Sequence, residues 1–212
     1  MLVYGMPAPT DKVKVTSGGK EVELTPDGKQ TAALVFKTLA DPYVGKMTIF
    51  KVYSGSLKSD SQIYNSTRSE TERLGQLFYM QGKEQIPTSE VVAGDIGGVA
   101  KLQFTATSDT LCDKDKQVFF NKIMFPKPVL MLAVYPKGKS DTDKVASGLL
   151  RLAEEDPTIS LEQSKETNEF LLSGMGDLHL EIIASRLKKK FGVEMELEDP
   201  KVPYRETIKS ST

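Results

Sequence analysis

Residues Leu171–Lys190 read LLSGMGDLHLEIIASRLKKK, and the reading of this stretch decides the fold of the second half of the chain. It contains the only histidine, His179, and two glycines, Gly174 and Gly176, in a G-x-G spacing. A dinucleotide-binding turn needs a third glycine three positions after the second, and His179 occupies that position. The other reading is a strand ending at the glycines, a sharp turn, and a helix over Asp177–Lys190. Asp177 suits a helix N-terminus, where the backbone dipole favours negative charge. On this reading Leu178, Ile182 and Ile183 supply the buried face.

Working outward, Val193, Met195 and Leu197 alternate with Glu194, Glu196 and Glu198, the period of a half-buried strand. Upstream, the apolar run Val129–Tyr135 suits a buried strand. Ser140 with Asp143 resembles a capping box, opening a helix through Glu155 with Val145, Leu149, Leu152 and Ala153 on one face. Pro157 stops that helix. Thr158–Glu162 and Glu169–Ser173 read as strands joined by the polar turn QSKETN. The order strand, helix, strand, strand, helix, strand is the ferredoxin-like α+β plan.

The first half differs. ALVFKTL, KMTIFKVYSGSL, SQIYNST, RLGQLFYMQ, EVVAGDIGGVAKL and QVFF follow one another at short intervals, with Gly, Asp and Ser between them. Short strands without a helical period predict a small all-β barrel over residues 31–124. Before it, residues 1–30 read as a linker and hairpin, with VKV and VEL separated by SGGK. Phe125-Pro126-Lys127-Pro128 marks a connector into the ferredoxin-like segment, residues 125–200.

Composition restricts the chemistry. The 212 residues carry 28 basic and 29 acidic side chains, a net charge of −1, so no global field draws the chain to nucleic acid. Any such contact needs a local patch. The conspicuous one is Arg186, Lys188, Lys189 and Lys190; Lys46, Lys51, Lys58, Arg68 and Arg73 form a scattered second set. As cations in the last turn of a helix, the first cluster also complements the dipole. One cysteine, Cys112, precludes an internal disulfide framework. With a start lacking signal-peptide character and no long apolar run, this points to a cytoplasmic protein. The sequon Asn65-Ser66-Thr67 then reads as chance.

Gly138-Lys139-Ser140 looks like the tail of a P-loop, but the position of its first glycine is Ala133, inside a strand. Asp95-Ile96-Gly97-Gly98 reads as a β-turn. One Cys and one His without companions make no zinc site or nucleophile dyad. No catalytic, cofactor or metal residues are assigned. Glu154, Glu155 and Asp156 read as a solvated acidic helix tip or as a surface meeting a partner.

ADPYVGKMTIFKVYSGSL, VVAGDIGGVAKL, SDTLCD, RLAEEDPT, LLSGMGDLHLEII and KVPYRETI, in this order, resemble elongation factor G, the ribosomal translocation GTPase. The resemblance covers nearly the whole chain. It implies a fragment: residues 1–30 would leave an absent GTPase domain, the barrel and ferredoxin-like segments would be its second and third domains, and residues 201–212 would begin an absent fourth. GTP and Mg²⁺ would belong to the GTPase domain, leaving no cofactor and no enzyme activity here. Implied partners are the small ribosomal subunit, with its RNA and protein, and the parent's own GTPase domain, but neither membrane nor DNA; the isolated fragment would be monomeric. Asp156, Thr158 and His179 would face the GTPase switches, while Arg186, Lys188, Lys189, Lys190, Arg68 and Arg73 are candidate ribosomal RNA contacts. Asp177, where many relatives carry Glu, and the unusual segment before Ala32 suggest a divergent paralogue. The alternatives are a ribosome-rescue or antibiotic-resistance-type paralogue, a free-standing protein-binding adaptor, and an acylphosphatase-like enzyme, for which no anion-binding loop is present.

Overall fold

The computed structural model describes residues 12–206 except 42, 43, 83, 139, 140 and 205. The chain divides between Met124 and Phe125 into two compact units.

In the first unit, β1 (Val13–Ser17) and β2 (Lys20–Leu24) form a hairpin closed by Gly18 and Gly19, both at positive φ. Two such residues make the turn whose twist matches the strands, which explains SGGK. The hairpin belongs to the unit it precedes. Val15 and Leu24 are buried in one cluster with Ala32, Cys112, Val118 and Phe120, and Thr16 exchanges backbone hydrogen bonds of 2.9 and 2.8 Å with Phe119. Among the described residues that isolated bridge is all the pairing QVFF makes, so this expected strand is absent there.

The remaining strands are β3 (Ala32–Asp41), β4 (Gly45–Ser54), β5 (Ser56–Lys58), β6 (Gln62–Asn65), β7 (Glu70–Arg73), β8 (Leu77–Gln81), β9 (Glu84–Thr88), β10 (Glu90–Val92), β11 (Ile96–Ala100) and β12 (Thr110–Cys112). Eight pair antiparallel in the order β7-β6-β12-β3-β4-β11-β8-β9, while β5 pairs with β10. One core takes Val35, Phe50, Leu57, Ile63, Leu77, Val91, Val99 and Leu111 from both ends of this order, so the strands curl around a common interior as a barrel. The turn expected at Asp95–Gly98 lies earlier: Asp95 N–H closes on Val92 O at 3.1 Å, and Gly97 and Gly98 already belong to β11. Gly98 is there for space, since a Cβ would sit 2.4 Å from the Phe78 ring. Strand β9 contains Pro87, which argues against a strand; it is tolerated because β9 lies at the edge of the sheet and, among the described residues, pairs only with β8.

The second unit comprises β13 (Leu130–Pro136), α1 (Thr142–Glu155), β14 (Ser160–Gln163), β15 (Phe170–Gly174), α2 (Asp177–Phe191) and β16 (Met195–Glu198). The antiparallel order β14-β15-β13-β16 places the first and third strands in the centre, the ferredoxin-like arrangement. Val134, Leu149, Leu152, Leu172, Leu180, Ile183 and Leu187 form its core. The expected cap Ser140 lies outside the described residues; the helix opens after Asp141, whose side chain makes no capping bond.

Two expectations are corrected. The buried stripe of α2 is Leu180, Ile183 and Leu187, whereas Leu178 is 70% and Ile182 42% exposed. Only Ile183 of the expected trio is inside, because Leu180 points down from the first turn against Gly174 and sets the helix phase. The acidic tip is not simply solvated either. Glu155 is buried and paired with Lys190 of α2 at 2.6 Å, and Asp156 accepts internal hydrogen bonds.

Candidate functional site

Pro157 stops α1, and the chain turns at Asp156-Pro157-Thr158 into β14. Asp156 Oδ1 accepts hydrogen bonds from the Thr158 amide at 3.0 Å and from its hydroxyl at 2.5 Å. Across the unit, Gly174-Met175-Gly176 turns from β15 into α2. Gly176 adopts φ 153° and ψ 177°, a backbone region essentially restricted to glycine. A Cβ on Gly174 would sit 2.6 Å from the Leu180 side chain and 3.2 Å from His179 Nδ1. One glycine therefore serves the turn and the other makes room for the first helical residues.

His179 joins the two turns. Its Nδ1 accepts a hydrogen bond from the Met175 amide at 3.1 Å, and its Nε2 faces Asp156 Oδ2 at 3.4 Å. With Nδ1 committed as acceptor, the ring proton sits on Nε2 and is donated to Asp156. Burial alone pushes the Asp156 carboxyl up; the Thr158 hydroxyl and amide and the His179 ring outweigh it and hold the carboxyl below its ordinary range. The structure thus brings Asp156, Thr158 and His179 together. The side-chain polar atoms of the cluster are turned to one another or to a backbone amide. Among the described residues the one hydroxyl in it, that of Thr158, is bonded to Asp156 and not to the ring. The cluster is a brace between two turns.

Around the brace lies an outward stripe of α2: Leu178, Ile182, Arg186 and Lys189, spaced by four, four and three residues on one side of the helix. Its first half is apolar, continued by the partly exposed Met175; its second half is basic. The basic cluster divides in two. Lys188 pairs with Glu194 at 2.8 Å and Lys190 with the buried Glu155. Arg186 and Lys189 are exposed and have no ion pair among the described residues.

In the barrel, Arg68 Nε donates to the buried Asp109 at 3.1 Å. Asp109 also accepts from the Asn65 side chain and the Ala106 amide, so Arg68 is held by the fold. Asn65 is itself buried within that network and not displayed as a sequon. Arg73, on β7, is exposed and without an ion pair among the described residues. Cys112 is fully buried, and burial pushes its thiol up. Among the described residues no three metal-ligating side chains converge, and no helix is long and apolar enough to cross a membrane.

The exposed Leu178 and Ile182 are what the sequence misread. Apolar residues at helical spacing normally mark a core, and only the packing of Leu180 reveals that these two are turned away from it.

Comparison with known proteins matches both units. Residues 30–114 match the family model of elongation factor G domain 2, and residues 125–199 that of elongation factor G domain III. Elongation factor G of Thermotoga maritima is 44% identical over 211 residues, covering 97% of this chain and 30% of the relative. A crystal structure of a Thermus thermophilus protein superposes with a TM-score of 0.72 at 35% identity, over 85% of this chain and 28% of that one. The chain therefore spans under a third of the length of either protein.

Proposed function

The chain belongs to the elongation factor G family through its second and third domains, and on that premise we propose that it is the ribosome-docking and coupling part of a translational GTPase. The barrel docks on the small ribosomal subunit. The ferredoxin-like unit transmits the nucleotide state of a GTPase domain to the ribosome, acting as an element with two discrete positions that both partners bias. GTP and Mg²⁺ belong to that GTPase domain, and this chain performs no catalysis of its own.

The observation that carries this reading is the divided stripe on α2. Its apolar end, Leu178 and Ile182, suits a protein surface. Its basic end, Arg186 and Lys189, suits RNA phosphates, which a local patch can contact despite a net charge near zero. The brace of Asp156, Thr158 and His179 holds the apolar end rigid, as a surface that passes on a small displacement must be. Lys188 and Lys190, engaged with glutamates, are left out of the RNA-contact set, as is Arg68.

The test is Leu178→Glu in a full-length protein that carries this segment behind a GTPase domain. Ribosome-dependent translocation is expected to fall at least about ten-fold, with GTP binding unchanged. Unaltered translocation would remove the coupling role.

A further inference from the structure

The barrel carries a second feature, on the side of β7 and the loop after β11. Thr71, Glu72, Arg73, Lys101, Gln103 and Phe104 line an open groove of about 220 Å³. Phe104 is 51% exposed on its rim, although a loop phenylalanine ordinarily gains by burying its ring. Two internal devices hold it out. Glu72 is buried, and its Oε2 accepts the Gln103 amide at 2.6 Å and the Phe104 amide at 3.3 Å, while Oε1 accepts the Thr105 hydroxyl. Lys101 adopts φ 67°, a left-handed conformation uncommon outside glycine and typically costing about 1 kcal/mol or more. Its amide, bonded to Lys46 O at 2.8 Å, fixes that turn. The fold thus fixes the loop backbone while leaving an aromatic face and two cations, Arg73 and Lys101, outside.

From this we infer that the groove of Arg73, Lys101 and Phe104 is a nucleotide-binding site for unpaired RNA, with a base stacked on Phe104 and its phosphate held between Arg73 and Lys101. An exposed aromatic beside basic side chains is the chemistry of single-stranded recognition: the π-face takes any base and the cations follow the backbone. Neither cation has an ion pair among the described residues. The one carboxylate among the lining residues, Glu72, is buried and has both oxygens committed to loop donors. An acidic peptide would use the cations but leave the ring without a partner, so RNA is favoured. The choice of RNA among polyanions rests on the ribosome-docking reading; the aromatic and cationic geometry does not.

The experiment is an NMR titration of the ¹⁵N-labelled 212-residue chain with a single-stranded hexauridylate. A double-stranded RNA of equal charge and an acidic hexapeptide serve as competitors. Shifts are expected at the amides of Arg73, Lys101, Gln103 and Phe104, with about ten-fold weaker binding for Phe104→Leu. Arg73→Gln should weaken binding and lower the salt dependence by roughly one phosphate contact. Lys101→Gly, which relieves the left-handed strain, should fold at least as well and still bind more weakly. Shifts elsewhere, an unaltered affinity in Phe104→Leu, or stronger binding of the peptide or the duplex would each overturn the inference. Sedimentation of the same variants with small ribosomal subunits separates the two readings. If the wild-type chain binds subunits and Phe104→Leu binds them equally, the groove is wrong and docking stands. Hexauridylate binding without subunit binding leaves the groove and removes docking.

Discussion

At the scale of single residues, His179 is the only histidine of the chain, and its neighbours give it a structural role. A histidine whose Nδ1 takes a backbone amide and whose Nε2–H points to a carboxylate is fully occupied. Asp156→Asn brings a side-chain NH₂ towards a ring that already donates there, and the Met175 amide prevents the ring from exchanging tautomers. We expect a loss of about 1 kcal/mol at pH 7. The far-ultraviolet helix signal can follow this change, because among the described residues both α-helices belong to the second unit. The pH dependence has a definite sign. The fold holds the Asp156 carboxyl below its ordinary value of about 3.9. Its stabilisation is therefore complete above that value and is lost as pH falls through the lower folded value. The gap between wild type and Asp156→Asn in urea unfolding should narrow as pH falls below about 3.9; a constant gap would show that the carboxylate charge is not what the brace uses. Gly176→Ala should cost about 2 kcal/mol by the same assay, since φ 153° with ψ 177° is closed to alanine.

At the scale of elements, the identity of strands and helices was largely legible, because periodicity and turn chemistry are local. The G-x-G turn, the alternating Val193-Met195-Leu197 strand and the order of the ferredoxin-like unit all follow from such signals. Long-range pairing left no such trace. Strand β9 was hidden by Pro87, acceptable only at an edge, and β12 is three residues whose partners β3 and β6 lie far away in sequence. The same limit applied to charge. Arg186, Lys188, Lys189 and Lys190 look equivalent in sequence, yet α1 supplies a buried carboxylate to Lys190 and the loop after α2 supplies Glu194 to Lys188. Lys190→Met should therefore destabilise the unit by about 2 kcal/mol, below the cost of breaking a fully buried pair because Lys190 is part-exposed. Lys189→Met should change stability by less than about 0.5 kcal/mol. Equal effects in chemical denaturation would contradict this division. In the candidate site, the sequence supplied Asp156, Thr158 and His179 through the family resemblance, whereas the exposed stripe of Leu178 and Ile182 and the Phe104 groove came only from packing.

At the scale of the whole molecule, two units with separate cores follow one another, and each presents a surface that its own fold leaves uncovered. On the ferredoxin-like unit it is the stripe from Leu178 to Lys189; on the barrel it is the groove at Phe104. The charge balance of −1 gives no general affinity for polyanions, so the proposed binding to a ribosome would come from such local patches and would weaken with salt as phosphate contacts are lost. The most direct measurement is sedimentation of the 212-residue chain with purified small ribosomal subunits at about 50 and 200 mM salt. Saturable binding is expected at the lower salt, at least about ten-fold weaker at the higher, and further reduced by Lys189→Glu. Absence of saturable binding at the lower salt, or binding indifferent to both salt and Lys189→Glu, would contradict the proposed docking.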